Sequence, residues 1–284
     1  MSPNTSGDAP ILRNVTKPRS DVAFFIGLSA FSSIYVFLIV AMLVADVCFT
    51  SWSNIIETLL KREVQAAIRL TFLSCTAASI LSIWVAIPFG YLLSRYRFPG
   101  RSFFEAVADV PFVLPPMVIG LSLLILFHLN IYGWELERWL RDDLGFGVTF
   151  RWPAVVLAQF VVACAFAIRT MRVTFDQINP RAEEVARTLG CTRYQSFSRV
   201  ALPQAMRGIV AAFAVAWARS FGEFGPILVF AGSTRMRTEV LSTTVYLEWS
   251  VGNLSSAVAV SLVMVLIASL VLVVIRFAGG PAGR

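Results

Sequence analysis

The sequence predicts an all-α membrane protein with six transmembrane helices, and two observations carry this prediction. Of the 284 residues, 57% are hydrophobic and only 14% are charged, whereas soluble domains contain about 25% charged residues. The apolar residues are also gathered into stretches that reach or approach the roughly 17 to 25 residues that a helix needs to cross a bilayer. This composition excludes the soluble, disordered and collagen-like classes.

Six apolar stretches define the predicted helices. They are Val22–Val44, Leu70–Leu93, Val110–Leu129, Pro153–Ile168, Gly208–Gly232 and Leu254–Ile275. The fourth is the shortest and needs Trp152 and its neighbours to span, and the fifth contains Arg219 and Glu223. We predict helices over about 22–47, 66–94, 107–129, 152–170, 206–232 and 253–276, a loop over 171–205, and tails over 1–21 and 278–284.

The first stretch follows Arg13, Lys17 and Arg19, as the apolar core of a signal peptide would. Its 23 uncharged residues exceed the roughly 7 to 15 residues of such a core. We therefore predict a retained membrane anchor.

Lys and Arg are distributed unevenly between the two sides of the predicted helices. Fifteen lie in residues 1–19, 95–101, 169–207 and 276–284, and eight lie in 61–69, 138–151 and 235–237. Because short loops rich in Lys and Arg stay in the cytoplasm, both termini and the 171–205 loop are predicted to be cytoplasmic. The net charge of +7 then reflects membrane orientation and contact with lipid headgroups, and it requires no nucleic-acid partner.

Enzyme signatures are sparse in this sequence. It contains no G-x-x-x-x-G-K-[ST] phosphate loop, no H-E-x-x-H motif and a single histidine, so we expect no ATP site of its own. An intramembrane serine hydrolase would need Ser29 and His128 in contact, but the predicted helices place these residues at different depths. A sensor is disfavoured because the sequence has no segment for a soluble signalling domain.

The four cysteines are Cys48, Cys75, Cys164 and Cys191. Their spacing fits neither a disulfide framework nor a metal site. We therefore predict no metal in this chain.

The 171–205 loop favours two short helices. Arg181–Leu189 is helix-forming, Gly190 suits the position after a helix end, and Pro203 suits the first turn of the next helix. The loop carries four apolar side chains, namely Leu189, Tyr194, Phe197 and Val200. Either a partner protein covers them in a groove, or the loop lies on anionic headgroups, attracted through Arg187, Arg193 and Arg199.

The same loop resembles the E-A-A-x3-G-x9-I-x-L-P pattern of permease subunits of ABC importers. The matching positions are Glu184, Val185, Ala186, Gly190, Val200, Leu202 and Pro203. The resemblance implies a type I importer permease bundle (22–277) whose cytoplasmic coupling helix docks into a separate ATPase subunit. By the same resemblance, ATP and Mg²⁺ belong to that ATPase, and this chain has no cofactor and no catalytic residue.

The fifth stretch carries the segment Arg219-Ser-Phe-Gly-Glu-Phe-Gly-Pro226. An ionised side chain in the bilayer costs at least about 2.5 to 3.5 kcal/mol, so such residues usually face partners or a water-filled path. Arg219 and Glu223 therefore form either a structural bridge or a charge pair beside an anion pathway. Gly222 and Gly225 would permit close helix approach, and Pro226 predicts a kink that could serve as a gate.

This segment also resembles the R-x-x-G-E-x-G stretch of sulfate, molybdate and tungstate permeases. Three further segments resemble the same group: Phe98–Gly100, Leu114–Pro116 with Gly120, and Thr238–Thr244. The resemblance covers about residues 69–276 and implies transport of a tetrahedral oxyanion, with molybdate or tungstate favoured and sulfate possible. It also implies an extracytoplasmic binding protein and a second permease copy, expected as a homodimer, in a prokaryotic inner membrane. Phosphate or another small polar solute remains the alternative.

Overall fold

The structure, a computed structural model, describes residues 22–130 and 135–278. Every regular element within these ranges is helical, which confirms the all-α class. The α-helices are α1 (Val22–Phe49), α2 (Trp52–Leu60), α3 (Arg62–Arg95), α4 (Arg101–Val113), α5 (Pro116–His128), α6 (Leu136–Asp142), α7 (Trp152–Gln177), α8 (Arg181–Thr188), α9 (Arg193–Ser196), α10 (Leu202–Gln204), α11 (Met206–Phe221), α12 (Leu241–Ser250) and α13 (Leu254–Ala278). Two π-helical segments, Phe197–Ala201 and Ile227–Ala231, complete the set. The predicted tail over 1–21 lies outside the described residues.

Four helices in the described part of the chain are long and apolar enough to cross a membrane. They are α1, α3, α7 and α13. Two bent pairs meet the same criteria when each pair is taken as one span: α4 with α5, bent by 115°, and residues 193–204 with α11, bent by 69°. The described residues therefore provide four spans, or six if each bent pair counts as one. The helix α1 belongs to a separate unit of residues 1–48 and is apolar over most of its 28 residues.

The third apolar stretch forms two helices instead of the single helix predicted over 107–129. α4 ends at Val113 and α5 begins at Pro116. Pro115 and Pro116 cause the break, because a proline restricts the residue before it to extended conformations and cannot donate a hydrogen bond to the preceding turn. The sharp bend follows directly from this Pro-Pro pair.

The centre of the larger unit, residues 49–284, is the packing of α7 against α3. In an 18-residue apolar stretch of α7, 67% of the residues are buried. The buried positions of α7 include many alanines. At Gly90 of α3, an added Cβ would lie 2.8 Å from the Cβ of Met171. Small residues thus allow the two helices to approach closely, which is the usual way in which membrane helices gain packing energy.

Three short helices, α2, α6 and α12, were not predicted. In α6, the buried Glu137 carboxylate accepts hydrogen bonds from the backbone N–H groups of Val148 and Thr149 at 3.1 to 3.2 Å. It also accepts one from Arg141 at 2.9 Å. Burial alone would raise the pKa of Glu137, but these donors outweigh burial and lower the pKa below its usual value. The charged carboxylate therefore holds the α6–α7 connection against the bundle.

Candidate functional site

The segment of residues 181–204 begins with α8, which ends as the sequence predicts. Gly190 has a φ of +94°, a conformation that a Cβ disfavours. Its N–H donates to the carbonyl of Arg187 at 3.1 Å, and the N–H of Cys191 donates to the carbonyl of Ala186 at 3.0 Å. These bonds satisfy carbonyl groups that the helix end would otherwise leave unpaired.

The second half of the segment differs from the prediction that Pro203 opens the next helix. The chain is already helical from Arg193, because Thr192 and Gln195 form a reciprocal capping box. The π-helical segment Phe197–Ala201 then leads into α10, with Pro203 in its first turn. Pro203 is thus followed by the 69° bend into α11, two residues later, and does not start a new helix after a loop.

The surface of the 181–204 segment is partly apolar. Leu189 is 80% exposed, Tyr194 is 76% exposed and Val185 is 56% exposed. Glu184 is exposed beside them. Of the other two side chains predicted to lie on this surface, Phe197 is half-buried and packs on the alanine-rich core, and Val200 is half-buried. The remaining motif positions, Ala186 and Leu202, are half-buried.

Glu183, which the sequence analysis passed over, points inward from the same helix. Its Oε1 lies 2.8 Å from Arg95 Nε and its Oε2 accepts from the Tyr91 hydroxyl at 2.6 Å. Consecutive helical residues point about 100° apart, so only one of Glu183 and Glu184 can face the core. The pair of adjacent glutamates near the start of α8 was the sequence signal that one of the two carboxylates is buried.

The charged segment predicted in the fifth stretch lies at a break in the helix. α11 ends at Phe221, and helical structure resumes at Gly225. Arg219 Nη1 and Glu223 Oε2 form an ion pair at 2.5 Å, without the alignment of a hydrogen bond. The Arg219 side chain is 30% exposed and that of Glu223 is 1% exposed. The guanidinium also lies 5.6 Å from the ring centre of Phe166, within cation–π range.

The glycines and the proline of this segment have separate roles. A Cβ at Gly225 would lie 3.1 Å from the backbone nitrogen of Met117, and one at Gly120 would lie 2.7 Å from Cα of Pro226. Close packing of this segment against α5 therefore requires both glycines. A Cβ at Gly222 would meet nothing within 4 Å in the described part of this chain, so the close approach predicted for Gly222 is not made within the chain. The interruption itself lies at 222–224, before Pro226.

Neighbouring elements hold the charged break in place. The hydroxyl of Ser242, in the predicted 238–244 motif, donates to the carbonyl of Glu223 at 2.6 Å. The N–H of Leu241 donates to Thr71 Oγ1 on α3 at 2.9 Å. The amide of Gln159 on α7 donates to the carbonyl of Ser220 at 3.2 Å. The backbone at the break is thus bonded to α12 and α7, and α12 is in turn bonded to α3.

The structure places the hydrolase candidates in ordinary helical surroundings. The Ser29 hydroxyl donates to the carbonyl of Phe25 at 2.6 Å, and His128 Nδ1 lies 3.1 Å from the carbonyl oxygen of Leu124. Each side chain therefore pairs with the turn that precedes it in its own helix. Within residues 22–130 and 135–278, no three His, Cys, Asp or Glu side chains are grouped as metal ligands.

The helical bundle, with its capped 181–204 segment and its charged break, defines a membrane subunit of a transport system. The chain belongs to the family of inner membrane components of binding-protein-dependent transport systems, whose family model matches residues 86–279. It is therefore a multi-pass membrane protein of the permease type.

Two curated permeases are similar to this chain over most of its length. The sulfate transport system permease protein CysT of Escherichia coli is 35% identical over 243 residues, which cover 85% of this chain and 86% of that protein. The molybdate/tungstate transport system permease protein WtpB of Thermococcus kodakarensis is 32% identical over 209 residues, which cover 72% and 78%. Both relatives carry the name of a permease.

The fold is that of solved ABC importers. A chain of a bacterial alginate ABC transporter, crystallised with its alginate-bound periplasmic protein, superposes with a TM-score of 0.68 and 17% identity, covering 90% of this chain and 91% of that chain. This likeness confirms the predicted type I importer permease-like bundle and carries no information about the substrate.

Proposed function

We propose that this chain is the permease subunit of an ATP-driven importer that moves a tetrahedral oxyanion into the cytoplasm by alternating access. One observation carries the proposal: the 181–204 segment presents an exposed carboxylate and exposed apolar side chains beside a glycine-capped helix. In a chain of this family, such a surface fits the cleft of an ATPase subunit better than it fits a headgroup layer.

The partners follow from this arrangement. A separate ATPase subunit binds ATP and Mg²⁺ and grips Glu184, Leu189 and Tyr194. A binding protein, on which the transport systems of this family depend, delivers the anion at the opposite face, and a second permease copy completes the pathway. The excess of Lys and Arg on the side of the 181–204 segment supports an inner-membrane orientation with both termini in the cytoplasm.

Alternating access needs an element with two arrangements, and the break at 222–224 is the candidate. ATP-driven closure of the ATPases would draw two 181–204 segments together and rock the attached helices. The binding energy has to bias a two-state equilibrium by only a few kcal/mol. The non-helical residues 222–224 would absorb the change in backbone angles, as hinge residues do.

Arg219 is the proposed contact for the anion. It is a permanent cation with part of its side chain accessible, and Glu223 balances its charge when no anion is near. An oxyanion that approaches Arg219 would compete with Glu223 for the guanidinium. We propose that this exchange opens the break.

The relatives support the substrate class and favour no single anion within it. The sequence resemblance favoured molybdate or tungstate, whereas the sulfate permease matches at 35% identity over 85% of this chain. The molybdate/tungstate permease matches at 32% over 72%. We therefore propose a tetrahedral oxyanion and give molybdate and tungstate no preference over sulfate.

The purified complex of permease, ATPase and binding protein, reconstituted in liposomes, tests this proposal. We expect ATP hydrolysis to rise when the binding protein is loaded with sulfate, molybdate or tungstate, compared with unloaded binding protein. Phosphate should give no rise. Stimulation by a neutral solute, with none by the oxyanions, would contradict the class of tetrahedral oxyanions. Stimulation by phosphate alone would contradict the sulfate, molybdate and tungstate group within that class.

A further inference from the structure

Glu183 of α8 and its partner Arg95 together link four helices. Both carboxylate oxygens of Glu183 are bonded to α3, through Arg95 at 2.8 Å and Tyr91 at 2.6 Å. Its backbone carbonyl accepts from the hydroxyl of Ser196 on α9 at 3.1 Å. Arg95 Nη2 in turn donates to the carbonyl of Ile178, at the end of α7, at 2.8 Å. Few contacts in a helical bundle connect so many elements.

This contact is held rigidly. The Arg95 and Glu183 side chains are 12% and 9% exposed, so water screens their attraction weakly. The Tyr91 ring packs against Phe197 and Phe175, with ring centres 4.6 and 5.3 Å away. Because the side chains between α8 and α3 are buried and packed, a movement of α8 displaces α3.

Toward its other end, α3 is linked to the charged break through α12. Thr71 accepts the N–H of Leu241 at 2.9 Å, and the adjacent Ser242 donates to the carbonyl of Glu223 at 2.6 Å. Thr71 and Arg95 are separated by about 36 Å of helix at 1.5 Å per residue. The helix α3 is therefore bonded directly to the 181–204 segment and, through α12, to the proposed gate.

We infer that the contact of Glu183 with Arg95 and Tyr91 is the positioning contact through which the 181–204 segment moves α3, and that α3 carries this movement to the break at 222–224. The inference rests on the proposed function. Glu184 and Glu183 then have different tasks: the exposed Glu184 binds the ATPase, and the buried Glu183 transmits the movement.

Glu183→Gln in the reconstituted complex tests the inference. We expect the ATPase to co-purify in normal amount and to keep its basal hydrolysis, because the docking surface is unchanged. Stimulation by the loaded binding protein and uptake should both fall about tenfold or more, which is the size of a typical coupling between sites. A merely structural defect would lower assembly and basal hydrolysis together.

Glu105→Gln is the matched control. Glu105 pairs with Arg101 at 2.7 Å and with Arg172 at 3.2 Å, on α4 and α7. This ion-pair cluster links α4 to α7 and lies outside the 181–204 segment. We expect this variant to keep stimulation and uptake, and equal losses in Glu105→Gln and Glu183→Gln would overturn the inference.

If Glu183→Gln assembles poorly with the ATPase, the double change Arg95→Met with Glu183→Met tests the inference. Removing both charges leaves no unpaired charge in the core, and apolar replacement of a buried pair is often neutral for stability. We expect restored assembly with stimulation and uptake still lost. Restored stimulation would overturn the inference, whereas absence of an ATPase from the unmodified complex would instead refute the proposed function.

Discussion

Gly190→Pro is expected to abolish uptake while the chain still folds in the membrane. Proline holds φ near −65° and lacks the N–H, whereas Gly190 has a φ of +94° and donates to Arg187. The substitution should displace Leu189 and the start of α9 by opening the end of α8. Because Gly190 is exposed and no atom lies within 4 Å of its Cβ position, the transmembrane packing should survive.

Gly190→Asn is the control at the same position. Asparagine tolerates the left-handed conformation better than other residues that carry a Cβ, so most uptake should remain. The companion variant Glu184→Ala keeps α8 helical, because alanine is a good helix former, and it should lose ATPase association. Full uptake by Gly190→Pro or Glu184→Ala would refute the coupling assignment of this segment.

Arg219→Ala is expected to eliminate uptake while ATPase association survives. The change removes the proposed anion contact and leaves the Glu223 carboxylate, 1% exposed, without its partner. Leaving one member of a buried ion pair costs about 3 kcal/mol or more, enough to shift the population of the break. Uptake and ATPase co-purification, measured on the same preparation, separate a loss of transport from a loss of assembly.

The double change Arg219→Ala with Glu223→Ala distinguishes a pathway from a structural bridge. If Arg219 serves the anion, removing Glu223 as well should relieve the unpaired buried carboxylate but leave uptake absent. Arg219→Lys, which keeps the positive charge, should retain part of the uptake. Uptake restored by the double alanine variant would show that the pair only holds the bundle together.

The sequence predicted the fold class because apolar stretches of spanning length have few alternatives to helices in a bilayer. It did not predict the bend between α4 and α5, although the Pro115-Pro116 pair was visible, because an uncharged run says nothing about straightness. The helices α2, α6 and α12 are short, and α6 depends on tertiary bonds such as those of Glu137 with Val148 and Thr149. Such bonds join residues distant in sequence.

The candidate site was predicted in outline only. The end of α8 at Gly190 was predictable because its cause is local: glycine alone avoids the cost of a positive φ. The roles of Glu183 and Glu184 depend on which face of α8 meets α3, and that is set by packing. Gly225 packs closely against α5, whereas the space beside Gly222 is open in the described part of this chain, a difference that the two glycines do not reveal in the sequence.

We propose, above all, that a separate ATPase drives this chain by binding the 181–204 segment from the cytoplasm. The most direct test places a cysteine at Leu189, which is 80% exposed, in a background with Cys48→Ser and Cys191→Ser, because both of these native thiols are accessible. We predict cross-linking of this cysteine to the ATPase subunit in a nucleotide-dependent yield, and no labelling by a membrane-impermeant maleimide added outside intact cells. Labelling from outside, or uptake that proceeds without any cross-link to an ATPase, would contradict the account.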